Sequence, residues 1–478
     1  MKKIITISLM LVSMGSFAQS AITWSAGMNV AANSYGNMHP RMVVDGSGNP
    51  LIIWGRMSDA SVLFSRWNGT AFTVPVKLNP SGMSVATASW MGPDIASKGD
   101  TVYVVMKKTP ESSDTNHIYI VRSFNGGMNF STPTRVDFVS DSLSRFPTLT
   151  VDKYGNPMVA FMKFNAAFGA ARWVVTKSSN YGSTFSTDVK ASGQGGGVVC
   201  DCCPGGIVNS ENTIAMLYRA NLSNIRDSWA GISLNNGNTF PNGFDIDQNN
   251  WSLSACPSTG PDGIIVNDTL YSVFMNGASG TSRTYLSKST ISTSAVNSVD
   301  LLTGSISGLT LQNYPRIDRF GKAAAIVWKQ RVNGADQLPV LFTNNIANGF
   351  PSMPENVDLA DITNTDVALS NGNIYVIWQD DVSGTVKYRK GTFTPTTTDI
   401  NEADENHFSV YPNPSSSEIN INFYPNSTTE VEILNTLGET IILTKNKNKV
   451  DISMLPDGIY FLKVKDENHF YSRKIVKQ

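Results

Sequence analysis

The sequence predicts an all-β chain: a β-propeller of seven blades, with six as the alternative count, followed by a small C-terminal β-sandwich. Three observations predict it. A unit built on x-Pro, a short apolar stretch, a turn and a strand ending in an aromatic or Met recurs about every 54 residues. A second motif, a polar hairpin turn, recurs every 55 residues between copies of the first. The last 75 or so residues then change to short alternating strands separated by Gly and Pro-Asp-Gly turns. Repeats of this length, each with room for four short strands, are the mark of propeller blades.

Composition agrees. Lys plus Arg is 37 and Asp plus Glu is 38, for a net charge of -1, which disfavours nucleic acid and polybasic membrane anchoring. Only 16% of residues are charged while 41% are hydrophobic, a balance suited to turn-rich β structure outside the cell.

The prolines that open the repeat are Pro40, Pro93, Pro147, Pro204, Pro261 and Pro315, spaced 53, 54, 57, 57 and 54 apart. A weaker seventh copy lacks the proline and begins at Asp366, 51 beyond Pro315. The strands that follow end at Trp54, Met106, Phe161, Tyr218, Phe274, Trp328 and Trp378. The seventh copy stops at Phe393 with no fourth strand, so residues 21–31, with Ile22 and Trp24, are expected to supply it and close the ring without a free edge. The propeller is accordingly assigned to residues 21–393, a Thr-rich and then acidic linker to 394–406, and the sandwich to 407–478.

The second motif reads Ser-x-Asn-x-Gly-x-(Thr/Asn)-Phe at Ser123 to Phe130, Ser178 to Phe185 and Ser233 to Phe240. In a tight hairpin, Asn125, Asn180 and Asn235 bond their own turns, Gly127, Gly182 and Gly237 take positive φ, and the Phe packs between blades. The motif resembles the Asp-box of sialidase-like propellers, with degenerate copies at Ser65 to Phe72 and Thr343 to Phe350. That resemblance implies a fold. It says little about chemistry, because such turns lie on the rim.

The two ends read as addresses. Lys2 and Lys3, an apolar run from Ile4 and Ser16-Phe17-Ala18 have the layout of a signal peptide over residues 1–18, too short for a span. No other stretch is apolar enough to form a transmembrane span. At the far end, Tyr411-Pro412-Asn413-Pro414, the Asn435-Thr436-Leu437-Gly438 turn, Leu455-Pro456-Asp457-Gly458-Ile459-Tyr460 and a basic finish resemble the type A C-terminal sorting domain of the Bacteroidetes type IX secretion system. The resemblance implies recognition by that translocon and delivery, through the periplasm, to the cell surface or the medium.

Sialidase-type chemistry needs an arginine triad for the substrate carboxylate, a Tyr paired with a Glu, and an Asp acid/base. The family's first arginine lies in Arg-Ile-Pro, whereas this chain has Pro40-Arg41-Met42 and Pro315-Arg316-Ile317. Propeller glutamates are few, at Glu111, Glu211 and Glu355. The remaining arginines, including Arg219, Arg226, Arg283 and Arg331, read as solvated or bracing blades. The expected function is therefore a glycan- or protein-binding module, with sialidase-type hydrolysis as the alternative. Arg41, Arg145, Tyr314 and Arg316 are the ligand-binding candidates.

All four cysteines fall in one region, at Cys200, Cys202, Cys203 and Cys256. An even count in an exported protein reads first as disulfides, with Cys203 to Cys256 the expected pair. The Cys-Asp-Cys-Cys-Pro run also resembles one found in a group of exported sialidase-like propellers, which implies no activity. Residues just before each repeat proline are expected to ring one channel mouth. His39, Met38 and Met91 there, with the cysteines, make a copper or zinc site the weaker alternative.

Overall fold

The computed structural model describes residues 22–395 and 408–478, apart from 32–35, 114, 139–141, 196–197, 424–428, 437, 446 and 467–468. The expected signal segment, and the linker after Pro395, lie outside the described residues. The chain divides into two compact units, Met1–Pro395 and Thr396–Gln478.

The first unit is a seven-bladed β-propeller. Seven sheets of antiparallel strands follow one another along the chain, and their first strands are Asn37–Val44, Asp94–Lys98, Ser142–Val151, Gly206–Ser210, Asp262–Val266, Leu309–Phe320 and Ile362–Ser370. Each first strand packs on the next, and the seventh returns to the first, so these strands line a central channel. The repeated aromatic or Met lies within each second strand and is at most 2% exposed, from Trp54 to Trp378. Those side chains wedge between neighbouring sheets, which is why the sequence repeats them.

The seventh blade is closed by the start of the chain, as expected. Thr23 pairs with Thr392 and Trp24 with Gly391, while Met28 and Asn29 pair with Tyr388 and Lys387 of the same strand. Ile22 is 3% exposed and packs with Val376, Trp378 and Phe393.

Inner strands are latched to one another by carboxylates. The residue after the repeat proline is Asp94 in blade 2 and Asp262 in blade 5, and Asp366 takes that place in blade 7. Each carboxylate accepts a backbone N–H from the next blade: Asp94 from Leu149 (3.1 Å), Asp262 from Ile317 (3.0 Å), Asp366 from Met42 (2.8 Å). One residue type at one register thus joins blade to blade.

The three hairpin turns share one bonding pattern. Ser123, Ser178 and Ser233 Oγ accept from the N–H of Gly127, Gly182 and Gly237 at 3.0, 2.8 and 2.9 Å. Asn125, Asn180 and Asn235 Oδ1 accept the N–H four residues on. Gly127 has φ 78°, and a Cβ there would fall 2.2 Å from Phe64 of blade 1, so the glycine is required twice over. Phe130 meets that same Phe64 edge-on at 4.9 Å, the expected packing between blades.

The second unit holds two sheets. Phe408–Tyr411, Glu418–Phe423 and Lys449–Asp451 form one, and Thr440–Lys445, Thr429–Leu434, Gly458–Asp466 and His469–Lys477 the other. Ile419, Ile421, Val431, Ile433, Leu462 and Val464 fill the core at no more than 1% exposure, alternating along their strands as a sandwich requires.

Candidate functional site at the channel mouth

The inner strands of blades 1, 3, 6 and 7 each carry a register shift near the channel mouth, between Met38 and Arg41, Arg145 and Thr148, Asn313 and Arg316, and Thr363 and Thr365. At each shift one non-glycine residue is left-handed: His39 (φ 52°), Phe146 (51°), Tyr314 (53°) and Asn364 (54°). Three of them precede the repeat proline, which bars them from the right-handed helical region. Such bulges re-aim side chains, and strained residues of this kind cluster at binding sites. Here they turn His39, Tyr314 and Asn364 toward the channel.

These three, with Arg41, Ser89, Trp90, Ser258 and Arg316, line a cavity of about 40 Å³. In blades 2 and 5, which open with Gly-Pro-Asp, the mouth residue is the third before the proline, Trp90 and Ser258. Gly92 makes the space, since a Cβ on it would fall 2.6 Å from His39 Cβ. Between blades 4 and 5 the backbones nearly touch, and a Cβ on Gly260 would lie 2.1 Å from Pro204 O.

The residue after the proline sets the charge of the channel: Arg41, Asp94, Thr148, Gly205, Asp262, Arg316 and, at the matching place, Asp366. Arg316 is spent within the protein, its Nε lying 3.1 Å from Asp366 Oδ1 and 3.4 Å from Asp262 Oδ2. Arg41 is not. Of its five N–H groups one donates to Pro40 O at 2.8 Å, and burial together with the charge of Arg316 pushes its pKa down to about 10. The Tyr314 hydroxyl has no hydrogen-bond partner among the described residues, and burial with the nearby Asp381 charge raises its pKa. Burial and Arg41 push His39 well below the usual histidine value, so the ring is neutral at pH 7, with Nδ1 3.3 Å from Ser89 O.

Not every candidate reaches the mouth. Arg145 lies outside the cavity lining, paired with Glu111 and stacked over Trp90 and Phe146 at 5.3 and 4.9 Å. Met91 is 2% exposed in the core beside Phe146, because the inner strand of blade 2 starts only at Asp94 and a bridge from Ala88 to Met91 turns the chain first. Met38 pairs with Gly55 in the strand and does not line the cavity. Asn364 was legible after all, since it stands two residues before Asp366 as Tyr314 stands before Arg316.

The cysteines lie in the wall behind Pro204 and Ser258. A disulfide does link blade 4 to the approach to blade 5, but it joins Cys202 to Cys256 and not Cys203. The backbone explains the correction: Cys203 N–H donates to Cys200 O at 3.4 Å, closing a turn that sends Cys203 inward to 1% exposure and leaves Cys202 facing Cys256. Cys200 and Cys203 are free thiols 2.9 Å apart, Sγ to Sγ. The Cys203 thiol donating to it, helped by the Cys202 amide and Arg226, holds Cys200 down at about 6 against its burial, while burial drives Cys203 well above the usual thiol range.

A larger open groove of about 420 Å³ lies between blades 2 and 3 and shares no lining residue with the mouth; its Lys163 and Asp188 pair with each other at 2.8 Å.

Deeper in the channel, Asp318 accepts from Leu369 N–H at 2.7 Å, and burial, with Asp366 and Asp262 nearby, pushes it up to about 7. The folded chain therefore holds this proton more tightly than the unfolded chain. The stability it contributes is full below about pH 4 and is lost as pH rises through about 7. Asp247, pushed up mainly by burial to about 6, acts in the same direction. Asp318→Asn should flatten the dependence of melting temperature on pH between 4 and 8; an unchanged slope would refute the assignment.

The ring and its tail define a class, an exported propeller. Residues 409–478 match the secretion system C-terminal sorting domain, which makes this chain cargo of the type IX system, delivered to the cell surface or released. Among the described residues no helix is long and apolar enough to cross a membrane. No curated protein sequence matches this chain. Several solved structures resemble it in shape. A Dyadobacter fermentans protein of unknown function is 9% identical, with TM-score 0.47, over 78% of this chain and 99% of that one. The Fusarium graminearum α-L-arabinofuranosidase Arb93A is 11% identical (TM-score 0.45, 69% and 99%), and Trypanosoma rangeli sialidase 11% (0.43, 92% and 84%).

Proposed function

We propose that the propeller is a binding module whose channel mouth takes one acidic group of an extracellular glycan, with Arg41 as its cation. The observation that carries this reading is the contrast between the two arginines. Arg316 is paired with two aspartates, while Arg41, which feels those charges only at a distance, keeps four N–H donors without a hydrogen-bond partner among the described residues, beside the Tyr314 hydroxyl and the ring of Trp90. A charged fork of this kind suits a carboxylate or sulfate. The cavity supports a small anionic group and no more, because pockets that enclose whole ligands run to roughly 300–1,000 Å³. The sugar ring then rests on the rim, where Trp90 and the half-buried Tyr314 offer apolar faces.

The hydrolytic alternative finds less support. Tyr314 has its pKa raised, the reverse of an activated nucleophile. Glu111 is paired with Arg145, Glu211 with Lys153, and Glu355 accepts from Trp24, so the three propeller glutamates are engaged, and none lines the cavity. Asp94, Asp262 and Asp366 are the latches between blades, and Asp381, near Tyr314, accepts from Thr363 and Gln379.

A glycan array of carboxylated, sulfated and neutral oligosaccharides tests the reading. Wild-type protein should retain the acidic members, and Arg41→Met should weaken them by roughly 10- to 100-fold, the equivalent of about 1.5–3 kcal/mol for a charged hydrogen bond. Equal retention of neutral glycans would refute it, and release of monosaccharide from the retained ones would favour the hydrolase.

A further inference from the structure

The four cysteine sulfurs lie within 4.8 Å of one another, three drawn from the four-residue turn Cys200–Cys203 in blade 4 and one from the segment entering blade 5. Beside them are two buried arginines. Arg219 is 0% exposed, its guanidinium donating, among the described residues, to the carbonyls of Thr259, Arg226 and Met275, with Trp251 at 5.3 Å. Arg226 is 8% exposed, donating to Leu253 O and, from Nη1, to Cys200 Sγ at 3.2 Å. Neither has a carboxylate within 4.0 Å among the described residues; of the buried acids nearby, Asp247 is bonded to Asn276, and Asp227 accepts the N–H groups of Asn250 and Trp251. Buried cations are normally matched by an anion. With two neutral disulfides, this site would leave neither guanidinium in direct contact with an anion.

We propose that Cys200, Cys202, Cys203 and Cys256 form a tetrathiolate site for one divalent soft-metal ion of the zinc type, with Arg219 and Arg226 as its counter-cations. Four thiolates around a divalent ion carry a net charge of minus two, which the two arginines cancel; Cu(I) would leave minus three. Zinc–sulfur bonds of about 2.3 Å place tetrahedral sulfurs about 3.8 Å apart, within the spread seen here. The form with the Cys202–Cys256 bridge is the oxidised, metal-free state of the same site. A thiol reductant opens it: two thiols deliver two electrons and two protons, become a disulfide themselves, and leave four cysteine thiols. The entering ion displaces their protons to water. Because Pro204 and Ser258 belong to the channel lining, the ion would also fix the spacing of that wall.

The test uses the full mature chain, reduced with thiol under anaerobic conditions, offered zinc or cobalt alone and gel-filtered. The proposal expects one ion per chain, four thiols that titrate only after denaturation in chelator, and the intense charge-transfer and visible bands of tetrathiolate cobalt. Arg226→Gln, outside the sulfur set, should weaken zinc retention against a competing chelator by roughly 10- to 100-fold, as for other groups that hold metal ligands in place. Cys256→Ser should lose the cobalt bands. Two disulfides in protein isolated anaerobically, or reduced protein that retains no ion, would overturn the proposal, and neither result depends on a variant folding.

Discussion

Deleting residues 405–478 should abolish delivery to the cell surface and leave the propeller in the periplasm of a host with the type IX translocon. The effect is expected to be complete, because the sorting domain is a compact unit with its own core and carries the match from residue 409 to the end of the chain. The propeller's core lies wholly within its own seven sheets, so the retained protein should be folded. Protease protection in intact cells, with periplasmic fractionation, checks this. Normal surface delivery of the truncated chain would contradict it.

Replacing Ile22 by Asp should destabilise the propeller by at least 2–5 kcal/mol, the cost of deleting a buried aliphatic side chain, with the burial of a charge added. Ile22 lies against Gly391, where a Cβ would meet its Cγ2 at 2.4 Å, and begins the segment that pairs with the last strand. In a closed ring, releasing that segment exposes the edge of blade 7. Trp24→Asp should cost less, since Trp24 is half-buried and held by a 3.3 Å bond to Glu355 and by Arg389 over its ring. Thermal unfolding of both variants decides the matter, and an unchanged melting temperature for Ile22→Asp would make the segment a mere tail.

The ring was legible because every blade solves the same packing problem with the same residues. Trp54, Trp328 and Trp378 repeat because each fills the same wedge, and Ile22 and Trp24 stand out because the seventh copy runs short by one strand. At the mouth, the register around the proline was enough to find His39, Arg41, Tyr314 and Arg316. It failed for Met91, where the bridge from Ala88 turns the chain before the inner strand starts at Asp94 and Trp90 takes the place instead. The disulfide partner was beyond reading, since Cys202 and Cys203 are neighbours and only the turn closed on Cys200 decides which one faces blade 5. Arg219 and Arg226 look like any arginines of a strand and loop. Their meaning comes from three-dimensional burial beside sulfur.

The reading of the mouth is tested most directly by calorimetric titration of the full chain with a uronic-acid oligosaccharide and with its methyl ester, which differ in charge at one group per sugar. The acid should bind to wild-type protein and roughly 10- to 100-fold more weakly to Arg41→Met, and the ester should bind to both as weakly as the acid binds to the variant. Equal binding of acid and ester, or undiminished binding of the acid by Arg41→Met, would contradict an anion site at Arg41.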